Sequence, residues 1–130
     1  MSKTVTLTFP IPNGAILNAN MPINYRVKAM RVKALRDLSF SLGTEMNIPE
    51  FKECTVKIIV YPPSSRRVDP PNFYPTVKPL IDGLTDAGAW ADDDWKHLRE
   101  MTFLHGGDKS NISQVYILKL VINGEVVTDE

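Results

Sequence analysis

The sequence predicts an α+β fold, with a small mixed or antiparallel sheet and two helices packed on it. Four segments carry the alternating or β-branched pattern of strands, and two carry an apolar helical period. Their order along the chain is strand, helix, strand, helix, strand, strand. With 130 residues, 43% hydrophobic and 23% charged, the chain is long enough to bury a core as one domain over residues 1–130.

The first half of the chain predicts a strand, a loop and a long helix. Residues 4–9 alternate apolar side chains with threonines, and a loop rich in proline and asparagine follows. The helix is predicted from about Asn24, as N-cap, to Leu42, with Gly43 as the C-terminal stop. A helical wheel gives it one apolar face, expected to meet the core: Val27, Met30, Ala34, Leu38 and Leu42.

The other face of this helix is basic and carries Arg26, Lys33 and Arg36. An ordinary solvated surface is the commoner interpretation of such a face. The alternative is a ridge that contacts phosphates.

The second half begins with the strongest strand signal, residues 54–61, which Pro62 and Pro63 end. After a loop over residues 64–71, a second helix is predicted from about Pro75 to Ala87, closed by Gly88. Its apolar arc, expected to face the core, consists of Val77, Leu80, Ile81, Leu84 and Ala87.

Two further strands are predicted over residues 98–104 and 114–122. The sequence between them, HGGDKSN, is interpreted as a hairpin loop. Asn123-Gly124 is interpreted as a turn.

Composition excludes several classes of protein. The formal net charge is zero, so nucleic-acid binding would need a local basic patch. The single cysteine, Cys54, excludes an internal disulfide and is expected to be a buried thiol. His97 and His105 lack zinc-site spacing. Without a signal-peptide pattern or an apolar run of about 20 residues, the protein is expected to be soluble and cytoplasmic.

The most informative stretch is residues 66–94, which opens with Arg66 and Arg67 and ends in three aspartates. Six aspartates and Lys78 fall within residues 69–94. Carboxylates at this density repel one another unless a cation lies among them, and Mg²⁺ takes one or two carboxylates with water and phosphate oxygens. The neighbouring arginines suggest an anionic substrate.

Lys78 and Asp82 are four residues apart, so their side chains can meet on the second helix. Taken alone, the pair is more often an exposed ion pair of little consequence. The triple aspartate, Asp92, Asp93 and Asp94, could equally be a solvated turn. With Asp69 and Asn72 before the helix, a metal site becomes the better interpretation, provided that both loops lie at one end of the sheet. Such a site suits phosphodiester hydrolysis.

Two tryptophans, Trp90 and Trp95, flank the aspartates. They could stack on bases, or they could pack around the site.

At these residues the chain resembles the RusA-like Holliday junction resolvases, endonucleases common in phages and prophages. The matching pattern is a basic pair, an aspartate, an asparagine, K-x-x-x-D-x-L, A-G and a paired D-D. In this sequence those positions are Arg66-Arg67, Asp69, Asn72, Lys78 with Asp82 and Leu84, Ala87-Gly88 and Asp92-Asp93. The resemblance spans most of the chain, but only about 28 central residues are specific.

The resemblance implies a homodimer in a bacterial or phage-infected cell that nicks four-way DNA junctions symmetrically, using Mg²⁺ or Mn²⁺. Lys78 would be catalytic together with Asp69 and Asp93, and Asp82 would support the site. The implied metal ligands are Asp69, Asn72, Asp92 and Asp93. DNA contacts would come from Arg66, Arg67, Arg26, Lys33 and Arg36.

The sequence departs from the family's D-x-D-N pattern, because Pro71 replaces the second aspartate. The interval from Asn72 to Lys78 is also longer. Proline offers no side-chain ligand, so Asn72 or Asp82 would have to supply the missing oxygen. An alternative function follows: a protein that keeps the fold but binds DNA or a protein without cutting. A third reading assigns the aspartates to solubility alone.

Overall fold

A computed structural model describes residues 1–128 and confirms the predicted order of elements. Four strands form one mixed sheet, and two helices accompany it. The strands are β1 (Ser2–Pro12), β2 (Phe51–Tyr61), β3 (Leu98–His105) and β4 (Val115–Val126), and the helices are α1 (Tyr25–Glu45) and α2 (Tyr74–Asp86). Short 3₁₀ turns cover Asn13–Ala15 and Pro70–Phe73.

The strand order in the sheet is β1, β4, β2, β3. β4 runs antiparallel to both β1 and β2, and β3 runs parallel to β2. The connections β1-α1-β2 and β2-α2-β3 therefore join parallel strands and move in one direction across the sheet. Right-handed crossovers of this kind put both helices on the same face. Accordingly, one face of the central strands is buried and the other remains partly open to solvent.

Helix α2 meets the core as predicted. Four of the five residues in its predicted apolar arc are buried and Ala87 is half-buried; the buried four are Val77, Leu80, Ile81 and Leu84. The helix ends as expected at Gly88, whose φ of +91° is left-handed. The Ala89 amide donates to the Leu84 carbonyl at 3.0 Å, which completes a Schellman cap.

Helix α1 begins as predicted, because the Asn24 side chain accepts a hydrogen bond from the Arg26 amide at 2.8 Å. Its predicted core face is wrong. Of the five apolar residues assigned to that face, Leu42 alone is half-buried; Val27, Met30, Ala34 and Leu38 are exposed. The residues buried instead are Leu35, Ser39 and Gly43. α1 packs closely on another helix, and close packing selects small residues that an apolar count overlooks.

Gly43 does not end α1, because the helix continues to Glu45. The residue with a left-handed φ after the helix is Asn47, at +50°. Gly43 instead permits close packing on α2. A Cβ at this position would lie 3.1 Å from the Ala87 Cβ and 3.2 Å from Leu84.

Two predicted turns are also wrong. Residues 106–114 do not close a hairpin, because β2 lies between β3 and β4 in the sheet. Asn123-Gly124 is not a turn but part of β4. Gly124 faces the register shift in β2, where a Cβ would collide with the Glu53 carbonyl and with Cys54. The glycine therefore serves the close approach of two strands.

Cys54 is buried as expected, and burial raises the pKa of its thiol to about 11. Neither of the helices described is long and apolar enough to cross a membrane.

Replacing Gly83 tests the contact between the helices. Alanine normally stabilises a helix interior by about 1 kcal/mol over glycine. At Gly83, however, a Cβ would lie 2.8 Å from the Ser39 Cβ and would collide with the Arg36 carbonyl. We expect Gly83→Ala to lower the free energy of unfolding by about 1–3 kcal/mol, since the helices must separate. Urea denaturation measures the change. Gly14→Ala, with nothing within 4 Å of its Cβ, is the control and should change little.

Candidate functional site

The two loops predicted to share one metal site leave the sheet at opposite ends. Residues 62–73 follow the C-terminal end of β2, whereas residues 87–97 lead into the N-terminal end of β3. Because β2 and β3 are parallel, the C-terminal end of β2 and the N-terminal end of β3 lie at opposite ends of the sheet, and α2 spans the distance between them. The expectation that both loops lie at one end is therefore wrong. The predicted site residues form two regions, which we call the lysine cluster and the asparagine groove.

The lysine cluster consists of Lys78, Asp82 and Asp93. The Lys78 Nζ donates to the Asp82 Oδ1 at 2.7 Å and to the Asp93 Oδ2 at 2.6 Å. Asp82 lies one helical turn along α2, while Asp93 reaches back from the loop that follows the helix. All three side chains are half-buried. The lysine therefore does not form only a surface i,i+4 ion pair, because a separate segment supplies a second carboxylate, that of Asp93.

The contacts within the cluster shift the pKa values of Lys78 and Asp93. The hydrogen bonds that Lys78 donates to Asp82 and Asp93 raise the pKa of Lys78. The hydrogen bond from Lys78 in turn lowers the pKa of Asp93 below its ordinary value. The lysine therefore stays cationic and Asp93 stays anionic throughout the physiological pH range.

The other two aspartates of the triplet order the loop around Asp93. The Asp92 side chain accepts a hydrogen bond from the Asp93 amide at 2.8 Å. The Asp94 side chain accepts one from the Lys96 amide and contacts the His97 Nδ1 at 2.6 Å, which lowers the pKa of Asp94. In this arrangement Asp93, rather than Asp92, meets Lys78.

The asparagine groove lies at the other end of the sheet and contains Asp69 and Asn72. It consists of two adjoining cavities of about 460 and 370 Å³ that share five wall residues. Amide side chains contribute much of the polar lining: Asn13, Asn18, Asn20, Asn72 and Gln114. Arg66 borders both cavities and Arg67 borders the smaller one, while Tyr116 and Phe73 supply apolar surface.

Hydrogen bonds fix the groove's wall to the helices. The Thr76 hydroxyl donates to the Leu17 carbonyl at 2.6 Å and accepts from the Leu17 amide at 2.8 Å. The Ala19 amide donates to the Asn72 carbonyl at 2.8 Å. Arg31 donates to the Ile16 carbonyl at 2.8 Å. These hydrogen bonds therefore hold the wall of the groove in a fixed position relative to α1 and α2.

Sequence reasoning missed four residues of this groove: Asn13, Asn18, Asn20 and Gln114. The clustering of asparagines in the first loop was a signal, but nothing local placed that loop beside residues 66–72. Gln114 has a left-handed φ of +61°, which is uncommon for a residue other than glycine or asparagine. Its carbonyl accepts a hydrogen bond from the Asn13 amide at 2.9 Å, which helps to hold this conformation.

The predicted DNA-binding residues differ in how much of their charge is free. Arg36 forms a two-pronged ion pair with Asp86 at 2.6 and 2.9 Å, and Lys33 pairs with Asp37 at 2.7 Å. Arg67 lies 3.4 Å from Asp69. Within residues 1–128, no carboxylate lies within ion-pairing distance of Arg26 or Arg66. Of these two, Arg66 lines the groove.

The two tryptophans have different environments. Trp90 is buried in the core, and its Nε1 donates a hydrogen bond to the Thr85 hydroxyl at 2.6 Å. Its role is therefore packing. Trp95 is 69% exposed, and the Arg99 guanidinium lies 5.6 Å from its ring centroid. Of the two, Trp95 alone is accessible for stacking.

The donor set for a metal is limited. No group of three or more histidine, cysteine or carboxylate residues able to hold a metal ion occurs in the described part of the chain. Asp82 and Asp93, however, lie within hydrogen-bonding distance of one nitrogen, and two carboxylates completed by water fit Mg²⁺. No hydrogen bond or ion pair links Asp69 or Asn72 to this cluster in residues 1–128.

No family model matches the chain, and no curated protein matches it. Among solved structures, it is similar to "Hydrogenase Maturation Protein HypE in complex with ATP", with 6% identity over 96% of this chain and a TM-score of 0.29. A second HypE crystal structure gives 8% identity over 95% of this chain and a TM-score of 0.27. This chain covers 31% and 32% of those two chains. TM-scores this low do not indicate a shared fold or function.

The pH dependence of stability tests the lysine cluster. We expect Lys78→Met to lower the free energy of unfolding at pH 7 by about 1 kcal/mol, a value discounted for partial exposure. The folded pKa of Asp93 is lowered in the parent protein, so its contribution exists above the unfolded pKa and disappears as pH falls through the folded pKa. The difference between parent and variant should therefore shrink below about pH 4.

The raised pKa of Lys78 sets the alkaline limit of the same contribution. It is fully present below the unfolded pKa of 10.5 and is lost as pH rises through the folded pKa. Urea denaturation at several pH values measures the difference, with the exposed Lys96→Met as control. A destabilisation equal at pH 7 and pH 3 would contradict the ion cluster.

Proposed function

We propose that the protein is a Mg²⁺-dependent endonuclease that nicks the phosphodiester backbone of branched DNA, with four-way junctions as its substrate. The observation that carries the proposal is the lysine cluster, in which one half-buried ammonium joins carboxylates from two segments. Carboxylates that can hold a metal ion, with a lysine beside them to stabilise developing charge, suit phosphodiester hydrolysis. The resemblance to the RusA-like resolvases assigns Lys78 and Asp93 to catalysis, together with Asp69, and gives Asp82 a supporting role.

Each residue of the cluster then has a role. Asp82 and Asp93 would hold Mg²⁺, which would activate water and offset charge on the phosphate. Lys78 neutralises the carboxylates in the protein alone and turns its ammonium toward the substrate phosphate when that phosphate arrives. Asp92 fixes the backbone at Asp93 through the hydrogen bond from the Asp93 amide.

The asparagine groove would bind a DNA strand. Because the net charge is zero, affinity must come from local groups, and Arg66 borders both cavities without a carboxylate partner in the described residues. Amide side chains beside it can bond sugar and phosphate oxygens without reading sequence. Asn72 belongs to this contact, whereas Asp69 lies 3.4 Å from the Arg67 guanidinium at its border. A homodimer would present two such surfaces to a symmetric junction.

A second candidate is a non-catalytic module that binds DNA or a protein. It is favoured by the absence of a three-ligand metal group in residues 1–128 and by Pro71, which removes one family carboxylate. Under this function the groove would bind and the lysine cluster would only stabilise α2.

Cleavage of a labelled four-way junction separates the two candidates. The nuclease predicts paired nicks that require Mg²⁺ or Mn²⁺ and fall at least about 100-fold in Asp93→Asn and Lys78→Met. Asp108→Asn, on a remote exposed loop, is the matched control and should retain activity. Asp69→Asn shows whether the groove carboxylate takes part in cleavage. Binding without nicks in either metal would favour the module.

Arg66→Gln tests the groove as the DNA-binding surface. If Arg66 contacts one phosphate, its loss should weaken junction binding and reduce the slope of log K against log salt by about 1. Fluorescence anisotropy across a salt series measures both. Lys3→Gln, at the opposite end of β1 from the groove, serves as control. Equal slopes for the parent protein and Arg66→Gln would exclude the groove arginine from the contact.

A further inference from the structure

Trp95 is a large apolar side chain that the fold leaves in solvent. It is 69% exposed, whereas tryptophan is on average a highly buried residue. Its place in the chain is also specific, because Trp95 follows Asp93 of the lysine cluster by two residues. Two residues of chain span at most about 7 Å, which limits the distance between the two Cα atoms. The exposed ring therefore lies beside the lysine cluster.

Hydrogen bonds fix the backbone around this ring. The Asp94 carbonyl accepts a hydrogen bond from the His97 amide at 3.1 Å and another from the Leu98 amide at 2.9 Å. The Asp94 side chain accepts one from the Lys96 amide at 3.1 Å. Residue 95 therefore lies inside a closed turn that leads directly into β3. This turn holds Trp95 in a fixed position relative to Asp93.

An arginine of the sheet contacts one side of the indole ring. The Arg99 guanidinium lies 5.6 Å from the Trp95 ring centroid, within the range of a cation–π contact. The same guanidinium donates a hydrogen bond to the Glu53 Oε2 at 3.0 Å, so it is held between β2 and β3. One guanidinium covers at most one face of the ring. The opposite face is therefore available to a planar ligand.

We propose that Trp95 stacks on an unpaired DNA base next to the phosphodiester at the lysine cluster, and that this contact selects branched DNA over duplex. Every base offers a flat face to an aromatic ring, so the contact needs no sequence readout. Successive nucleotides are about 3.4 Å apart along a strand of duplex. The span of about 7 Å from Asp93 to Trp95 therefore corresponds to about two nucleotides.

The need for an unpaired base is what makes the contact selective. In an intact duplex each base is paired and lies between two neighbours, so it can reach Trp95 only by leaving the stack, which costs free energy. A base at the point where strands diverge has already lost a neighbour. Stacking on Trp95 therefore adds affinity for branched DNA and little for duplex. The phosphate contacts of the asparagine groove differ in this respect, because duplex and branched DNA both offer phosphates.

This inference rests on the proposed function, which supplies DNA as the ligand and the lysine cluster as the place of cleavage. Stacking is measured without metal, so its outcome does not depend on cleavage. Stacking without cleavage would support the inference and overturn the nuclease. Cleavage without stacking would overturn the inference and leave the nuclease.

Tryptophan fluorescence tests the stacking directly. Trp90 is buried and its Nε1 is bonded to Thr85, so quenching by a DNA base reports on Trp95. In EDTA, a short single-stranded thymidine oligomer should quench the emission in a saturable manner. An abasic oligomer of equal length keeps the phosphates but offers no base, and it should not quench. Equal quenching by both oligomers, quenching that persists in Trp95→Leu, or no quenching by either would overturn the proposal.

Trp95→Leu tests the selectivity, with Trp95→Phe as the conservative variant. Fluorescence anisotropy in EDTA measures the binding of a labelled four-way junction and of a labelled duplex of the same sequence. Trp95→Leu should raise the dissociation constant for the junction by about 10-fold and that for the duplex by less than about 2-fold. Trp95→Phe should keep most of the preference for the junction, because phenylalanine also offers a flat ring.

Tyr25→Leu is the matched control for this experiment. Tyr25 is 74% exposed and the Arg26 guanidinium lies 5.9 Å from its ring centroid, so it is also a surface aromatic beside an arginine, at the start of α1. Its replacement should leave the preference for the junction unchanged. Equal losses for junction and duplex in Trp95→Leu, or the same loss of preference in Tyr25→Leu, would overturn the proposal.

Discussion

The burial of α2 between the sheet and α1 is the constraint on which the rest of the structure depends. Its apolar arc covers the central strands, and its close contact with α1 occurs at Gly83, beside Ser39. The buried Ser39 hydroxyl donates to the Leu80 carbonyl at 2.6 Å, so even the polar group in this contact is satisfied. With both sides fixed, the polar residues of α2 can face only the remaining direction, where the lysine cluster forms.

The same helix connects the two candidate regions. Thr76 fixes the wall of the asparagine groove near the start of α2, while Lys78 and Asp82 carry the lysine cluster farther along. The regions therefore share one rigid element, although their loops leave opposite ends of the sheet. Under the proposed function, binding in the groove and chemistry at the cluster would use different carboxylates.

Much of the fold could be predicted from local pattern, and the failures have physical reasons. The order of elements, the N-cap at Asn24, the buried arc of α2 and the cap at Gly88 all depend on residues close together in sequence. The core face of α1 was missed because the contact uses serine and glycine, while its apolar residues lie outside. A turn was wrongly predicted at Gly124 because this glycine allows close approach to β2 within the sheet, which no local pattern reveals.

In the candidate site, too, contacts within one element could be predicted and contacts between distant segments could not. The contact of Lys78 with Asp82 follows from helical spacing, but the contact with Asp93 depends on the path of a loop. The parallel pairing of β2 and β3 makes the loops that carry Asp69 and the aspartate triplet leave opposite ends of the two strands, which local pattern could not reveal. The groove asparagines could not be predicted, since tertiary hydrogen bonds bring residues 13–20 beside residue 72.

Under the proposed function, Asp82 and Asp93 form a cation site that the Lys78 ammonium occupies in the protein alone. Titration with Mn²⁺, followed by paramagnetic broadening of backbone amide signals in NMR spectra, tests it most directly. We expect saturable broadening centred on residues 82 and 92–94, and we expect it at lower Mn²⁺ concentration in Lys78→Met. Broadening centred on residues 69–72, or none at either region, would contradict it.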